Sequence, residues 1–327
     1  MAFFKLIRLH NLIFIAFIQY VMQKIILLPL LQIYGFESGL STSMLNLLIV
    51  ATMLIAAGGY VLNDYFDVKI DRLNQPDKLI IGNQISRNTA MLMHLFLTAA
   101  GIISGLFAAY FARSVSLALI FIVVPGLLWF YSASYKRQFL IGNLVVAFNA
   151  ALSILIVAID QLAFLQKEFG KLIFETPIPT EMYAWIGSFA LFAFLTTWIR
   201  EIIKDMEDEP GDREMECRTM PIKWGRQNTT WFTISLIALT NFALYTLSTL
   251  YLPFEGTLTV RYLIFGISLP SLILIYLLWN AKTQANYHQA STLTKIIMLI
   301  GVLYAFIFYF LQAKSHGITM FGIFTVK

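Results

Sequence analysis

Runs of about twenty apolar residues, each able to cross roughly 30 Å of hydrocarbon as a helix, recur along this chain. Nine are legible, at 10–32, 43–63, 89–112, 115–134, 140–163, 181–203, 229–252, 259–281 and 293–313. Inside a bilayer every backbone N–H and C=O must be satisfied within the protein, and helices do that. The composition agrees, with 59% hydrophobic residues against 13% charged. The pattern predicts an all-α polytopic membrane protein, nine transmembrane helices around a central cavity, in one domain spanning residues 1–327.

The first run could be mistaken for a secretory leader. It is too long for one and has no small-residue cleavage site, so it reads as the first span. The single cysteine, Cys217, rules out an internal disulfide and reads as an ordinary loop residue. His10, His94, His288 and His316 are scattered and suggest no haem or zinc site; His94, in mid-span, reads as a packing residue. Apart from Lys24 inside the first span, sixteen lysines and arginines fall on one side of the spans and six on the other. That bias places the N-terminus in the cytoplasm of a cell with this protein in its inner membrane, and the C-terminus outside. The net charge of +5 follows the same bias, and neither nucleic acid nor an obligate protein partner is implied.

Acidic residues cluster at two span ends. Asn63, Asp67 and Asp71 are spaced i, i+4, i+8, with Asp64 three before Asp67, so a helix would present them on one face. Glu201, Asp205, Asp208 and Asp212 repeat the pattern, although Pro210 and Gly211 predict that the helix kinks or ends near Glu209. Asp67 and Asp205 follow the second and sixth spans, which suggests two four-helix halves plus a ninth helix. Carboxylates about 6 Å apart at an effective dielectric near 20 repel by about 3 kcal/mol. An oxygen-seeking divalent cation relieves this, and magnesium suits one or two carboxylates, water and a phosphate. Among the nearby cations, Lys136 and Arg200 stand closest to span ends, with Arg72, Lys78 and Lys204 beside the clusters. A pyrophosphate needs such donors.

The stretch Asn63-Asp64-x-x-Asp67-x-x-x-Asp71 resembles the first aspartate-rich motif of the UbiA superfamily of intramembrane prenyltransferases. "DRLNQPDKLIIG" continues it, with Gln75 where arginine is usual. "YSASYKRQFLIGN" (131–143) is similar to the family's YSxxxK segment and Gly-Asn pair, and "DMEDEPGDREMECRTMP" resembles the second motif, with Arg218 and Met220 as departures. The resemblance spans the chain. It implies two magnesium ions bridging a polyprenyl diphosphate, one on Asn63, Asp67 and Asp71 with Asp64 as a further ligand, the other on Asp205, Asp208 and Asp212. Asp67, Asp71, Asp205 and Asp212 would be catalytic. Arg8, Asn11, Asn63, Arg72, Lys78, Tyr131, Lys136, Arg200 and Lys204 would contact substrates.

Within that family "REIIKDMEDEPGD" resembles the subgroup that prenylates a glycerol phosphate ether lipid; an aromatic acceptor such as 4-hydroxybenzoate or dihydroxynaphthoate is the alternative. A secondary transporter, from another class, would bury ion sites near the bilayer midplane. Here the acids gather at span ends and the spans read as lacking midplane carboxylates, which favours an enzyme with its site at the mouth.

Overall fold

The computed structural model describes residues 2–36, 39–74, 79–251 and 256–325. Among them, nine helices are long and apolar enough to cross a membrane, so this is a multi-pass membrane protein. They are α1 (Leu9–Ile33), α2 (Thr42–Asn74), α3 (Arg87–Ala112), α4 (Val115–Ala133) and α5 (Ile141–Phe169). Then come α6 (Ile178–Glu214), α7 (Met220–Tyr251), α8 (Leu258–Asn280) and α9 (Gln284–His316). Side-chain caps start several of them. Ser86 accepts from Thr89 N–H, Ser114 from Leu117 N–H, and Thr283 forms a capping box with Asn286. Arg113 and Gly317, both left-handed, close α3 and α9. The departures from an all-α chain among the described residues are small: an isolated bridge between Ile81 and Ile85, and after α9 a two-residue antiparallel pairing of Thr319–Met320 with Phe324–Thr325.

Antiparallel neighbours α2 and α3 pack together, as do α6 and α7, the arrangement expected of two related halves. The second half has its own core, in which Ile202, Met206, Ile237, Leu274 and Ile297 meet from α6 to α9. A larger core joins α1, α5, α6 and α9. Leu95, Phe96, Tyr110, Ile122, Phe242 and Tyr276 stand exposed on α3, α4, α7 and α8. On a water-soluble protein so much apolar surface would drive association; on these helices it is the face turned to lipid.

Three expectations are revised. α6 runs unbroken through Pro210 to Glu214. Proline removes only one ladder bond here, and Glu209 is clamped by Arg213 on the next turn and by Arg226 of α7. Before α6 begins, α5 continues to Phe169 and a 3₁₀ turn fills Gly170–Glu175. A carboxylate does lie within a span: Asp160, in α5, is buried. Cys217, too, is not an ordinary loop residue. It is only 4% exposed, with its N–H bonded to Asp212 O at 2.9 Å. His94 packs as expected, its Nδ1 3.0 Å from Gly58 O.

Candidate active site

Because α2 stays helical past the apolar run, Asn63, Asp64, Asp67 and Asp71 share one stripe of it. Asn63 Nδ2 donates to Asp67 Oδ2 at 2.7 Å. Lys136 arrives from the 3₁₀ turn Tyr135–Arg137 that follows α4, donates to Asp67, and lies 3.5 Å from Asn63 Oδ1. That approach depends on Gly142 at the start of α5. A Cβ there would sit 2.7 Å from Lys136 Cα and 2.9 Å from Tyr135 O, so a side chain at 142 would displace the lysine turn.

Arg8 is held in a left-handed conformation before α1, donates to Asp64 Oδ1 at 2.8 Å and lies 5.0 Å from the Tyr60 ring centre. Burial pulls its guanidinium down, but Asp64 and Tyr60 more than offset this and leave it above the usual arginine value. Burial acts the other way on Lys136, which ends below the usual lysine range despite Asp67.

On α6, Asp205 accepts from Asn143 Nδ2 at 2.9 Å. Arg200 donates to Glu201 at 2.5 Å, and Lys204 Nζ lies 3.9 Å from Asp208. The two acidic helices converge: the charge of Asp67 acts on both Asp208 and Asp212. From α4, Tyr131 faces the same space, within the fields of Glu201, Asp67, Asp205 and Arg8. Asn11 stands beside the Tyr60 hydroxyl. Arg218 N–H donates to Arg137 O at 2.8 Å, joining the loop after α6 to the lysine turn.

The structure therefore gathers Arg8, Asn11, Asn63, Asp64, Asp67, Asp71, Tyr131, Lys136, Arg200, Lys204, Asp205, Asp208 and Asp212 at one end of the bundle. Arg72 is exposed at the end of α2, and Lys78 and Gln75 lie outside the described residues. Asp64, expected among the metal ligands, pairs with Arg8 as Asp67 pairs with Lys136. The sequence reading passed over Tyr60, Asn143 and the clamp of Glu209 with Arg226. Asn143 had a signal, the Gly-Asn pair. Arg226 had none, since it reaches α6 from a different helix.

Among the described residues no three His, Cys, Asp or Glu side chains close into a preformed metal cage. The carboxylates of Asp71 and Asp212, one from each cluster, take part in no hydrogen bond or ion pair among those residues, while those of Asp67 and Asp205 hold an ammonium and an amide. Two carboxylates left over at a converging site suit an ion completed by water and a diphosphate, which is how magnesium is held.

Comparison with known proteins bears on this site. The UbiA prenyltransferase family model matches residues 27–300. The digeranylgeranylglyceryl phosphate synthase of Sulfurisphaera tokodaii is 29% identical over 91% of this chain and 94% of its own. That of Sulfolobus acidocaldarius is 30% identical over 93% and 96%. A solved structure from work on digeranylgeranylglyceryl phosphate synthase in membranes aligns with a TM-score of 0.61 at 23% identity, over 94% of this chain and 96% of that one. A UbiA homologue from Archaeoglobus fulgidus bound to GPP and Mg2+ aligns at 0.55 and 13%, over 94% and 99%. These two structures speak to the fold.

Proposed function

The chain belongs to the UbiA prenyltransferase family, and from that premise we propose that it makes an ether lipid. A polyprenyl group passes from an allylic polyprenyl diphosphate to a hydroxyl of a glycerol phosphate lipid such as geranylgeranylglyceryl phosphate. One observation carries this reading: two acidic helix ends converge on Lys136, with Arg8, Arg200 and Lys204 around them. The names of the relatives support the acceptor.

In this reading Asn63, Asp67 and Asp71 from α2, and Asp205, Asp208 and Asp212 from α6, would hold two magnesium ions. Bound there, the ions supply the positive charge that stabilises a departing diphosphate. Lys136 exchanges Asp67 for a diphosphate oxygen, a short move because the lysine already reaches over the cluster. Asn63 and Asn143 keep Asp67 and Asp205 oriented toward the space between α2 and α6. Arg8, Arg200 and Lys204 meet the acceptor's phosphate, each leaving a carboxylate partner for a stronger charge-assisted bond. Tyr131 and Tyr60 wall the space with rings and keep water away from the allylic cation. The lysine and arginine bias supports a cytoplasmic site in an inner membrane.

The test offers purified protein, magnesium and geranylgeranyl diphosphate two acceptors in separate reactions, geranylgeranylglyceryl phosphate and 4-hydroxybenzoate. Mass spectrometry should find the diether phosphate. Prenylated hydroxybenzoate without any ether would overturn the acceptor and leave the prenyl transfer standing.

A further inference from the structure

Lys295 stands in the first turn of the ninth apolar run, and an ionisable group at such a depth points to something it holds. Its place is set by the packing of α9 on α6. The two helices run antiparallel, and Ile203 and Met206 of α6 share a core with Ala290 and Ile297 of α9. Beside that seam His288 Nδ1 lies 2.9 Å from Glu207 Oε1. Seven residues make almost two turns, about 10.5 Å at helical rise. Stepping seven back along α6 and seven forward along α9 therefore brings Arg200 level with Lys295. The charges agree with that register, since Arg200, Lys204, Glu201 and Glu207 all act on the Lys295 ammonium.

This neighbourhood is short of negative charge. Glu201 is held by Arg200 at 2.5 Å and Glu207 by His288, while the Lys295 ammonium has no hydrogen bond or ion pair among the described residues. Arg8 is occupied by Asp64, and Lys204 lies 3.9 Å from Asp208. Asp208 is also one of the carboxylates read above as holding magnesium. Once it turns to the metal, Lys204 and Lys295 face each other with no carboxylate of their own. Two like charges repel, and a dianion between them turns that repulsion into two charge-assisted bonds.

We propose that Lys295 is a further substrate-binding residue, which completes with Arg8, Arg200 and Lys204 the seat of the acceptor's phosphate monoester. The inference rests on the ether-lipid reading above and adds a residue from α9, which supplies none of the acidic ligands. Position favours the acceptor over the donor's diphosphate. Arg200 precedes Asp205 by five residues, about 7.5 Å along α6 on the hydrocarbon side of the acids. The acceptor hydroxyl attacks the allylic carbon from the side away from the leaving diphosphate, and that side is the level of Arg200 and Lys295. The diphosphate itself lies with Lys136, whose charge acts on Asp71 and Asp212.

The experiment uses the full chain in dodecylmaltoside micelles without phospholipid, with magnesium and geranylgeranyl diphosphate. Two acceptors are offered separately, geranylgeranylglyceryl phosphate and geranylgeranylglycerol, which lacks the phosphate. Lys295→Met keeps the side-chain length, and because Lys295 is exposed it removes no core packing. The variant should raise KM for the phosphorylated acceptor about tenfold, the weight of one hydrogen bond to a charged group, with KM for the donor nearly unchanged. The preference for the phosphorylated acceptor should shrink by the same factor, and Lys295→Arg should restore part of it. An unchanged KM for that acceptor would overturn the inference and leave Lys295 a positive-inside anchor. Equal losses with both acceptors, or a rise in KM for the donor alone, would overturn it too. Wild-type protein that forms no ether at all would overturn the ether-lipid reading and this inference with it, a result seen before any variant is made.

Discussion

Replacing Lys136 by methionine tests the centre of the site, because the side chain keeps its length and loses its charge. Lys136 is 11% exposed and Asp67 14%, so the pair sits largely out of water and is weakly screened. In the proposed reaction the ammonium donates to the leaving diphosphate, and a hydrogen bond to a charged group contributes about 1.5–3 kcal/mol. At about 1.4 kcal/mol per factor of ten, kcat/KM for the donor should fall roughly 10- to 150-fold at saturating magnesium. Lys136→Arg should recover part of this. Gly142→Ala should reproduce part of the loss without touching a charge, because its Cβ would press on Lys136 Cα at 2.7 Å. Initial rates with radiolabelled geranylgeranyl diphosphate measure all three. If Lys136→Met retained wild-type kcat/KM, the lysine would be a positive-inside anchor and the reasoning would fail.

Asp67→Asn and Asp205→Asn should each lower turnover by orders of magnitude with the fold kept, as read by size-exclusion profile and product formation, and EDTA should abolish wild-type activity. Full turnover in EDTA would end the two-ion reading. Arg226→Leu leaves the buried Glu209 with one partner, and loss of a partner from a buried pair is destabilising by about 3–5 kcal/mol, less here because Arg213 remains. The melting temperature in detergent should fall by several degrees. Cys217 is buried, and burial pushes its thiol up to about 11, so the reactive thiolate is scarce at neutral pH and grows only as pH rises toward that value. Iodoacetamide should label native protein slowly at pH 7.5, faster at pH 9.5, and fully in SDS; rapid neutral labelling would contradict the buried placement.

The spans were legible because a hydrocarbon core imposes length and polarity on each helix separately, without regard to partners. The acidic stripes were legible for a similar reason, since i, i+4 spacing is a property of one helix. What stayed hidden depends on two segments meeting. Asp64 reads like its neighbours, and only the fold brings Arg8 against it. Glu209 reads as one more acid of the second cluster until Arg226 arrives from α7. Pro210 misled for the same reason, since its effect on a helix end is set by what holds the residues beside it. Cys217 reads as surface because it lies between spans, yet the loop folds back under Asp212.

α6 is one continuous helix of 37 residues. At 1.5 Å per residue it is about 55 Å long, against roughly 40–45 Å for a bilayer with its head groups. Its acidic end therefore sits at head-group level while its shaft stays among the chains. Two lipids with charged heads can reach such a place by sliding within the leaflet, never leaving the membrane. The encounter is then a search in two dimensions, governed by mole fraction in the bilayer. Diluting substrate with inert lipid at constant bulk concentration should slow the enzyme, whereas adding buffer to the same vesicles should leave the rate per vesicle unchanged.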